Sequence, residues 1–254
     1  MKNAAVAEMP LQNAMAEAIH IIAQGKGGCG KSFAAVMLAQ HLQAKYDNVK
    51  CIDTDPVNTT FTHFKGLKTT PLDLLENGQI DQIRFDGLVE QLITDNDHFV
   101  IDNGASCFIP LSTYLAENET LASLEVQGRQ VYLHVLVGGG PEMKDCLAGF
   151  DLLAKMVEGR NIVVWENDFH GPVMIDGKSF QETKAFQKHQ DKVFGIVKLS
   201  KRNPQTFGVD MNRMLSKKMT FTEAIDSTDF VFASKSRLHT VRKDIFSQLA
   251  AIGL

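Results

Sequence analysis

Residues 25–32 read "GKGGCGKS", between an apolar run, "AIHIIAQ" (18–24), and an Ala/Leu-rich stretch that begins at Lys31. Gly25, Gly30, Lys31 and Ser32 satisfy GxxxxGK[ST], and a strand before with a helix after is the context that this spacing requires. The glycines let backbone N–H groups close around phosphate oxygens, and the helix that starts at Lys31 offers its positive N-terminal end. In such a loop Lys31 neutralises the β and γ oxygens and the Ser32 hydroxyl ligates Mg²⁺. Gly27, Gly28, Cys29 and Phe33 complete the expected nucleotide-contacting set. One lysine suffices for the loop, so Lys26 is a second charge that needs its own explanation.

Outward from the loop, short apolar runs alternate with helical patterns. "VKCID" (49–53) precedes a helix near 83–94, and "HFVID" (98–102) precedes one near 110–124. "QVYLHVLV" (130–137), "NIVVWE" (161–166) and "KVFGIVKL" (192–199) follow, with helices expected over 142–157, 178–189 and on to the C-terminus. Strict alternation predicts an α/β fold in three layers, a mostly parallel twisted sheet between helices, because parallel strands need crossover helices. No Gly/Ser/Pro-rich linker divides the chain. The expectation is one domain over 17–254, preceded by a flexible, Ala-rich N-terminal extension over 1–16.

With 26 basic and 30 acidic residues the formal charge is −4, which excludes a uniformly basic nucleic-acid coat and leaves only local basic patches. Cys29, Cys51, Cys107 and Cys146 form no CxxC pair, so neither a disulfide framework nor a structural zinc site is indicated. No segment approaches the roughly 18 apolar residues of a membrane span, and the N-terminus lacks a continuous apolar core. A soluble, unprocessed cytoplasmic protein is expected.

In open α/β sheets ligands sit beyond the carboxyl ends of strands. Polar clusters fall there: "DTDP" after the second run, "DNGAS" after the third, "END" after the fifth. Asp102, closing "FVID", suits the acid that holds Mg²⁺ through its waters, while Asp53 and Asp55 stand where Pro56 stops the second strand. Ser32 and Asp102, with Asp53 or Asp55 beside them, are the candidate metal-site residues, and Lys31 and Asp102 are candidate catalytic ones.

The lysine immediately after the loop's first glycine resembles the deviant Walker A motif of the ParA/MinD-type ATPases, and "DTDP" resembles that group's second motif. Within the group, "QGKGGCGKSF", "CIDTDPVNTTF" and the later "VVW", "GP" and "GKSF" are most similar to the TraL-type ATPases of conjugative plasmids. The resemblance implies ATP/ADP and Mg²⁺ as cofactors and a P-loop ATPase that dimerises on ATP binding. Lys26 falls on the signature lysine, which reaches the partner subunit's nucleotide; Asp55 on the acid that orients the attacking water; Asp102 on the Mg²⁺-associated acid; Asn167 on the asparagine that recognises adenine. It also implies a conjugation or partition protein as partner. Two departures stand out. The second switch reads Asp102-Asn103-Gly104-Ala105 rather than DxxG or DxPP, and Val57-Asn58-Thr59 replace the usual Gln-Gly-Asn.

Other readings remain open at this point. Asn167 with Asp168 can equally cap a turn before "FHGP", and Asp168 resembles the guanine-reading acids of GTPases. Cys107 stands near the place of cluster-binding cysteines in nitrogenase-iron-protein relatives, but as a lone Cys reads better as a buried hydrophobe. Cys29 is a candidate for inhibitory oxidation. Basic stretches at 198–202 and 235–243 read as a solvated face or as a non-specific DNA surface. Leu238, Val241, Ile245, Leu249 and Ile252 read as a core stripe rather than a membrane-surface helix. Two alternatives to the switch are a small-molecule phosphoryl-transfer enzyme of the dethiobiotin-synthase type and a nucleotide-binding module without turnover.

Overall fold

The computed structural model describes residues 17–55 and 58–254. The expected 1–16 extension and the Pro56–Val57 part of the second motif lie outside the described residues. Seven strands form one sheet: β1 (Ala18–Ile22), β2 (Val49–Asp53), β3 (Thr70–Pro71), β4 (His98–Asp102), β5 (Gln130–Gly138), β6 (Ile162–Asn167) and β7 (Val193–Leu199). Their order is β7-β6-β5-β1-β4-β2-β3, and every neighbouring pair is parallel. The central strands are buried on both faces, which is why they read as continuous apolar runs instead of alternating ones.

The helices are α1 (Lys31–Gln43), α2 (Arg84–Thr94), α3 (Phe108–Glu117), α4 (Thr120–Val126), α5 (Met143–Ala154), α6 (Lys184–His189), α7 (Val209–Ser216), α8 (Phe221–Asp226) and α9 (Phe232–Ala251). Helix α1 packs on both the sheet and α9, so Ala34 through Leu42 are buried without a break and even polar members find partners. The Gln40 side-chain carbonyl accepts from the Phe221 N–H at 2.7 Å, bridging α1 to the start of α8. Leu238, Val241, Ile245 and Leu249 of α9 are buried, which makes that stripe a core face.

From β1 the chain steps out to β2, returns to β4 beside β1, then crosses to β5 on β1's other flank. The strand order therefore reverses at β1, and the crevice beyond its carboxyl end is where ligands bind in such sheets. Buried Phe61, Phe64 and Leu67 anchor the segment that follows β2 close to this end.

Local structure departs from the sequence reading in three places. The helix expected over 110–124 is two, α3 and α4, broken where Asn118 caps the Tyr114 carbonyl (2.9 Å) and Glu119 adopts a left-handed φ of 48°. The helix expected over 178–189 begins only at Lys184. Ahead of it, Met174–Ile175 and Lys178–Ser179 pair as a hairpin across Asp176 and Gly177, whose φ values of 51° and 74° are those of a type I′ turn. Asn77–Gly78 turns a second small hairpin, Leu75–Glu76 with Gln79–Ile80.

Three buried polar rings cross the middle of the sheet. The Trp165 indole N–H donates to His134 Nδ1 at 3.0 Å, and His134 Nε2 lies 3.0 Å from His20 Nδ1. An indole can only donate, so the His134 proton sits on Nε2 and is given to His20. Burial pushes both imidazoles below their ordinary value, His134 to about 3.

Candidate functional site

The loop of residues 25–32 leaves β1 at the strand-order reversal and enters α1. Gly28 and Gly30 take φ values of 80° and 104°, a region that side chains disfavour. At Gly30 a Cβ would also stand 2.9 Å from Asn167 Nδ2, and at Gly25 one would stand 2.8 Å from the Phe108 ring. The loop closes on itself through one acceptor: the Lys26 carbonyl takes hydrogen bonds from the Lys31 ammonium (3.0 Å) and the Cys29 thiol (3.1 Å). The Lys26 ammonium pairs with Asp145 of α5 at 3.5 Å, both side chains being partly exposed.

Asp102 ends β4 almost fully buried, and neither carboxylate oxygen has a hydrogen-bond partner. Burial pushes its carboxyl up to about 7; the Ser32 hydroxyl and Lys31 ammonium favour the charged form, and Asp53 and Asp55 oppose it. Of eight buried side-chain polar atoms without partners among the described residues, five lie at this end of the sheet: both oxygens of Asp102, Asn103 Nδ2, Gln24 Oε1 and Glu142 Oε2. Native interiors rarely leave such atoms unpaired, so their concentration at one place needs an explanation that a ligand supplies. Among the described residues no three His, Cys, Asp or Glu side chains are placed to hold a metal by themselves. A divalent cation beside Asp102 would share its coordination with Ser32, water and phosphate oxygens, and that donor set suits Mg²⁺.

Asp53 and Asp55 divide their tasks. Asp53 is buried and committed, accepting from the Asp55 N–H (3.1 Å) and from both the N–H and hydroxyl of Thr62 (3.0 Å each), although burial still raises its carboxyl. It fixes the course of the loop. Asp55 accepts from the Asn58 N–H at 3.0 Å and lies against Gly104, where an added Cβ would come within 2.5 Å of its carboxyl carbon. Gly104 thus lets the loops after β2 and β4 meet, and Thr54 ties them by donating from its hydroxyl to the Asp102 carbonyl and Asn103 Oδ1, both at 3.2 Å. The Cys107 thiol, raised to about 11 by burial, donates to the Thr54 carbonyl at 3.1 Å and joins the same structural tie.

Asn167, at the end of β6, is engaged at both ends of its amide: Nδ2 donates to the Cys29 carbonyl (3.0 Å), and Oδ1 accepts from the Phe169 N–H (3.1 Å). It lines a cleft of about 540 Å³ together with Gly28, Gly30, Phe33, Phe169 and Phe207. The structure therefore brings Lys26, Lys31, Ser32, Asp55, Asp102 and Asn167 to one end of one sheet. Sequence reasoning did not single out Asp145, Glu142, Phe169 or Phe207. The first two follow the Gly138–Gly140 run, and Phe169 stands two residues after Asn167; these are the signals that point to them.

The basic stretches are compensated in part. Lys198 pairs with Glu166 (3.7 Å), Arg202 with Asp244 (2.5 Å) and Arg237 with buried Asp210 (2.5 Å). Lys201, Lys235, Arg242 and Lys243 stand in no ion pair among the described residues, Arg242 lying over the Phe246 ring at 5.3 Å. No helix of the described residues is long and apolar enough to cross a membrane.

Residues 20–217 match the CobQ/CobB/MinD/ParA nucleotide binding domain. Protein TraL of Escherichia coli is 38% identical over 234 residues, which cover 92% of this chain and 97% of that protein. A second Escherichia coli Protein TraL is 37% identical over 91% of this chain and 96% of its own length. Among solved structures, the MinC:MinD cell division protein complex of Aquifex aeolicus aligns with a TM-score of 0.52 at 16% identity, covering 89% of this chain and 94% of that one. At that identity the last comparison speaks for the fold alone, and it agrees with the parallel sheet described above. With the glycine loop, the strand-end acids and these matches in place, the chain belongs to the CobQ/CobB/MinD/ParA nucleotide-binding family and is a homologue of TraL.

Proposed function

We propose that this protein is a Mg²⁺-dependent ATPase switch: ATP closes a homodimer, slow hydrolysis reopens it, and the closed form engages a partner in conjugal transfer or DNA positioning in the cytoplasm. The observation that carries the reading is the meeting of the glycine loop with a buried, unpaired Asp102 at the strand-order reversal.

The loop N–H groups and Lys31 would bind the β and γ phosphates, for which the Lys31 ammonium must leave the Lys26 carbonyl it now meets. Ser32 and Asp102 would hold Mg²⁺, which supplies positive charge at the phosphoryl oxygens. Asp55, fixed where the loops after β2 and β4 touch, would orient the attacking water. Lys26 is tied to Asp145 within its own subunit, but an exposed pair of this kind contributes less than about 1 kcal/mol. Its release for a partner's phosphate is therefore no barrier. Lys201, Lys235, Arg242 and Lys243 are the basic groups of these stretches left over for DNA phosphates, a contact that salt would weaken.

Light scattering with ATP, ADP and no nucleotide tests this reading. Wild type is expected to dimerise with ATP alone, whereas Lys26→Ala should bind ATP within about threefold of wild type and lose at least tenfold in dimer affinity. A Lys26→Ala protein that dimerises normally with ATP would sink the two-subunit site.

A further inference from the structure

The phosphate loop meets the start of α5 at three points. The Lys26 ammonium pairs with Asp145 at 3.5 Å, a Cβ added to Gly28 would stand 3.9 Å from Glu142 Oε1, and the Cys29 thiol hydrogen-bonds the Cys146 sulfur. Both thiols are fully buried, and both are free. Burial alone raises Cys51, to about 12, and Cys107 donates to the Thr54 carbonyl at 3.1 Å. Among the described residues the thiol-to-thiol contact is confined to Cys29 and Cys146.

The two sides of this contact differ in how firmly they are held. The Gln24 amide donates to the Cys146 carbonyl at 3.1 Å and to the Leu136 carbonyl at 2.8 Å, which clamps α5 to β5, and the Gly138 N–H donates to the Cys146 sulfur at 3.5 Å. Hydrogen bonds from the Cys29 thiol and the Gly138 N–H hold the Cys146 thiol below its ordinary value, so Cys146 is the better nucleophile of the two. Cys29 belongs to a loop with little packing to lose. Gly25, Gly27 and Gly28 are exposed, and a Cβ at Gly27 would meet nothing within 4 Å. The Cys29 thiol stands between two acceptors, the Lys26 carbonyl at 3.1 Å and the Cys146 sulfur.

We propose that hydrogen peroxide joins Cys29 and Cys146 in a reversible disulfide, and that this bond holds the phosphate loop against α5 and blocks nucleotide binding, the second half resting on the nucleotide reading above. The Cys146 thiolate attacks the peroxide: an S–O bond forms, the O–O bond breaks, and the leaving oxygen departs as water after taking a proton. The Cys29 sulfur then attacks the sulfenic acid so formed. The S–S bond forms, the S–O bond breaks, and the hydroxyl leaves as a second water with the Cys29 proton. Two thiols lose two protons and two electrons, and one peroxide becomes two waters. Drawn to Cys146, Cys29 gives up the Lys26 carbonyl and pulls on its neighbours Gly28 and Gly30, whose N–H groups then no longer close around a phosphate. Because both sulfurs are buried, the oxidant reaches them only when the loop opens, and a ligand that holds the loop closed slows the reaction.

Peptide mass mapping without reductant, run on the full chain before and after peroxide, tests this beside the binding of a fluorescent ATP analogue. Oxidised wild type should yield a linked Cys29–Cys146 peptide and bind the analogue at least about tenfold more weakly, and dithiothreitol should reverse both. Saturating Mg-ATP during the oxidation should slow the linkage by at least about tenfold. Cys146→Ser and Cys146→Ala should bind the analogue within about twofold of wild type when reduced and, under the same peroxide, yield no linked peptide and keep their affinity within about threefold, since the remaining Cys29 is buried. Oxidised wild type without the linked peptide would overturn the proposal, as would linked protein that binds the analogue normally. So would Cys146 variants that lose affinity to peroxide as wild type does, which would make Cys29 a thiol that oxidises alone. The linked peptide is read without nucleotide, so a reduced wild type that binds no ATP would remove the nucleotide reading and the inhibitory half of this proposal, while the disulfide stands or falls on the peptide map.

Discussion

Asp102→Asn is expected to melt higher than wild type in the absence of nucleotide at pH 8, and to turn over ATP at least about a hundredfold more slowly. The gain follows from burial. A carboxyl raised from 3.8 to about 7 is held ionised at pH 8 against roughly 4 kcal/mol of preference for the neutral form. Asparagine removes the charge but brings an amide whose buried donors lack partners, a cost of about 1–3 kcal/mol. The net is about 2 kcal/mol of stabilisation, or about 4–8 °C for a chain of this size. The loss follows from the same site, because a neutral amide cannot balance a divalent cation, and deleting one electrostatic contributor to a transition state costs on the order of 10²–10³ in rate. Calorimetry and a phosphate-release assay measure the two effects. A variant less stable than wild type, or one that hydrolyses ATP within about fivefold of wild type, would show that Asp102 is a structural carboxylate.

The opposing signs of that substitution reflect a general feature of this sheet end. Asp53, which sequence alone ranks beside Asp55, is fully hydrogen-bonded and shapes the loop, whereas Asp102 is left unpaired. Both acids end apolar strands and look alike in the sequence; the difference is Thr62, whose N–H and hydroxyl both donate to Asp53 and which stands next to buried Phe61.

The same contrast explains what was legible. β2 and β4 occupy 49–53 and 98–102, the limits their apolar runs set, because a strand buried on both faces has no reason to admit a polar residue until it ends. β3 is two exposed residues that pair with Ile52 and Asp53, and no composition signal marks so short an edge. Asp176-Gly177 and Asn77-Gly78 carry the residue types of tight hairpin turns, but their flanking strands are two residues long and fall below any periodicity test. In the site, residues of the loop and strand ends could be named because their chemistry is local. Asp145 and Phe169 could not, since one matters through an ion pair to Lys26 and the other through a cleft completed by Phe33 and Phe207.

Acid stability gives the second large effect, and its sign depends on two groups that oppose each other. His134, at about 3 in the folded protein against 6.5 in the unfolded chain, cannot take a proton that the unfolded state takes readily. Its contribution is nil above pH 6.5, and stability is lost progressively as pH falls from 6.5 to about 3, on the order of 5 kcal/mol in total. His20, also lowered by burial, adds in the same direction. Asp102 does the reverse: its folded value of about 7 lies above 3.8, so stability rises as pH falls from 7 to about 4. Over the shared window Asp102 offsets His134, and His20 leaves a net loss in wild type that steepens below about pH 4, where Asp102 no longer contributes. Asp102→Asn removes the offset, so that variant should lose about 3–4 kcal/mol relative to wild type between pH 7 and pH 4. His134→Gln keeps an acceptor for the Trp165 N–H and a donor for His20 but cannot titrate, so between pH 8 and pH 4 it should lose about 3 kcal/mol less than wild type. Urea titrations at pH 8, 6 and 4 on the three proteins read these slopes directly, and parallel slopes in all three would show that neither buried group controls the acid limit of the fold.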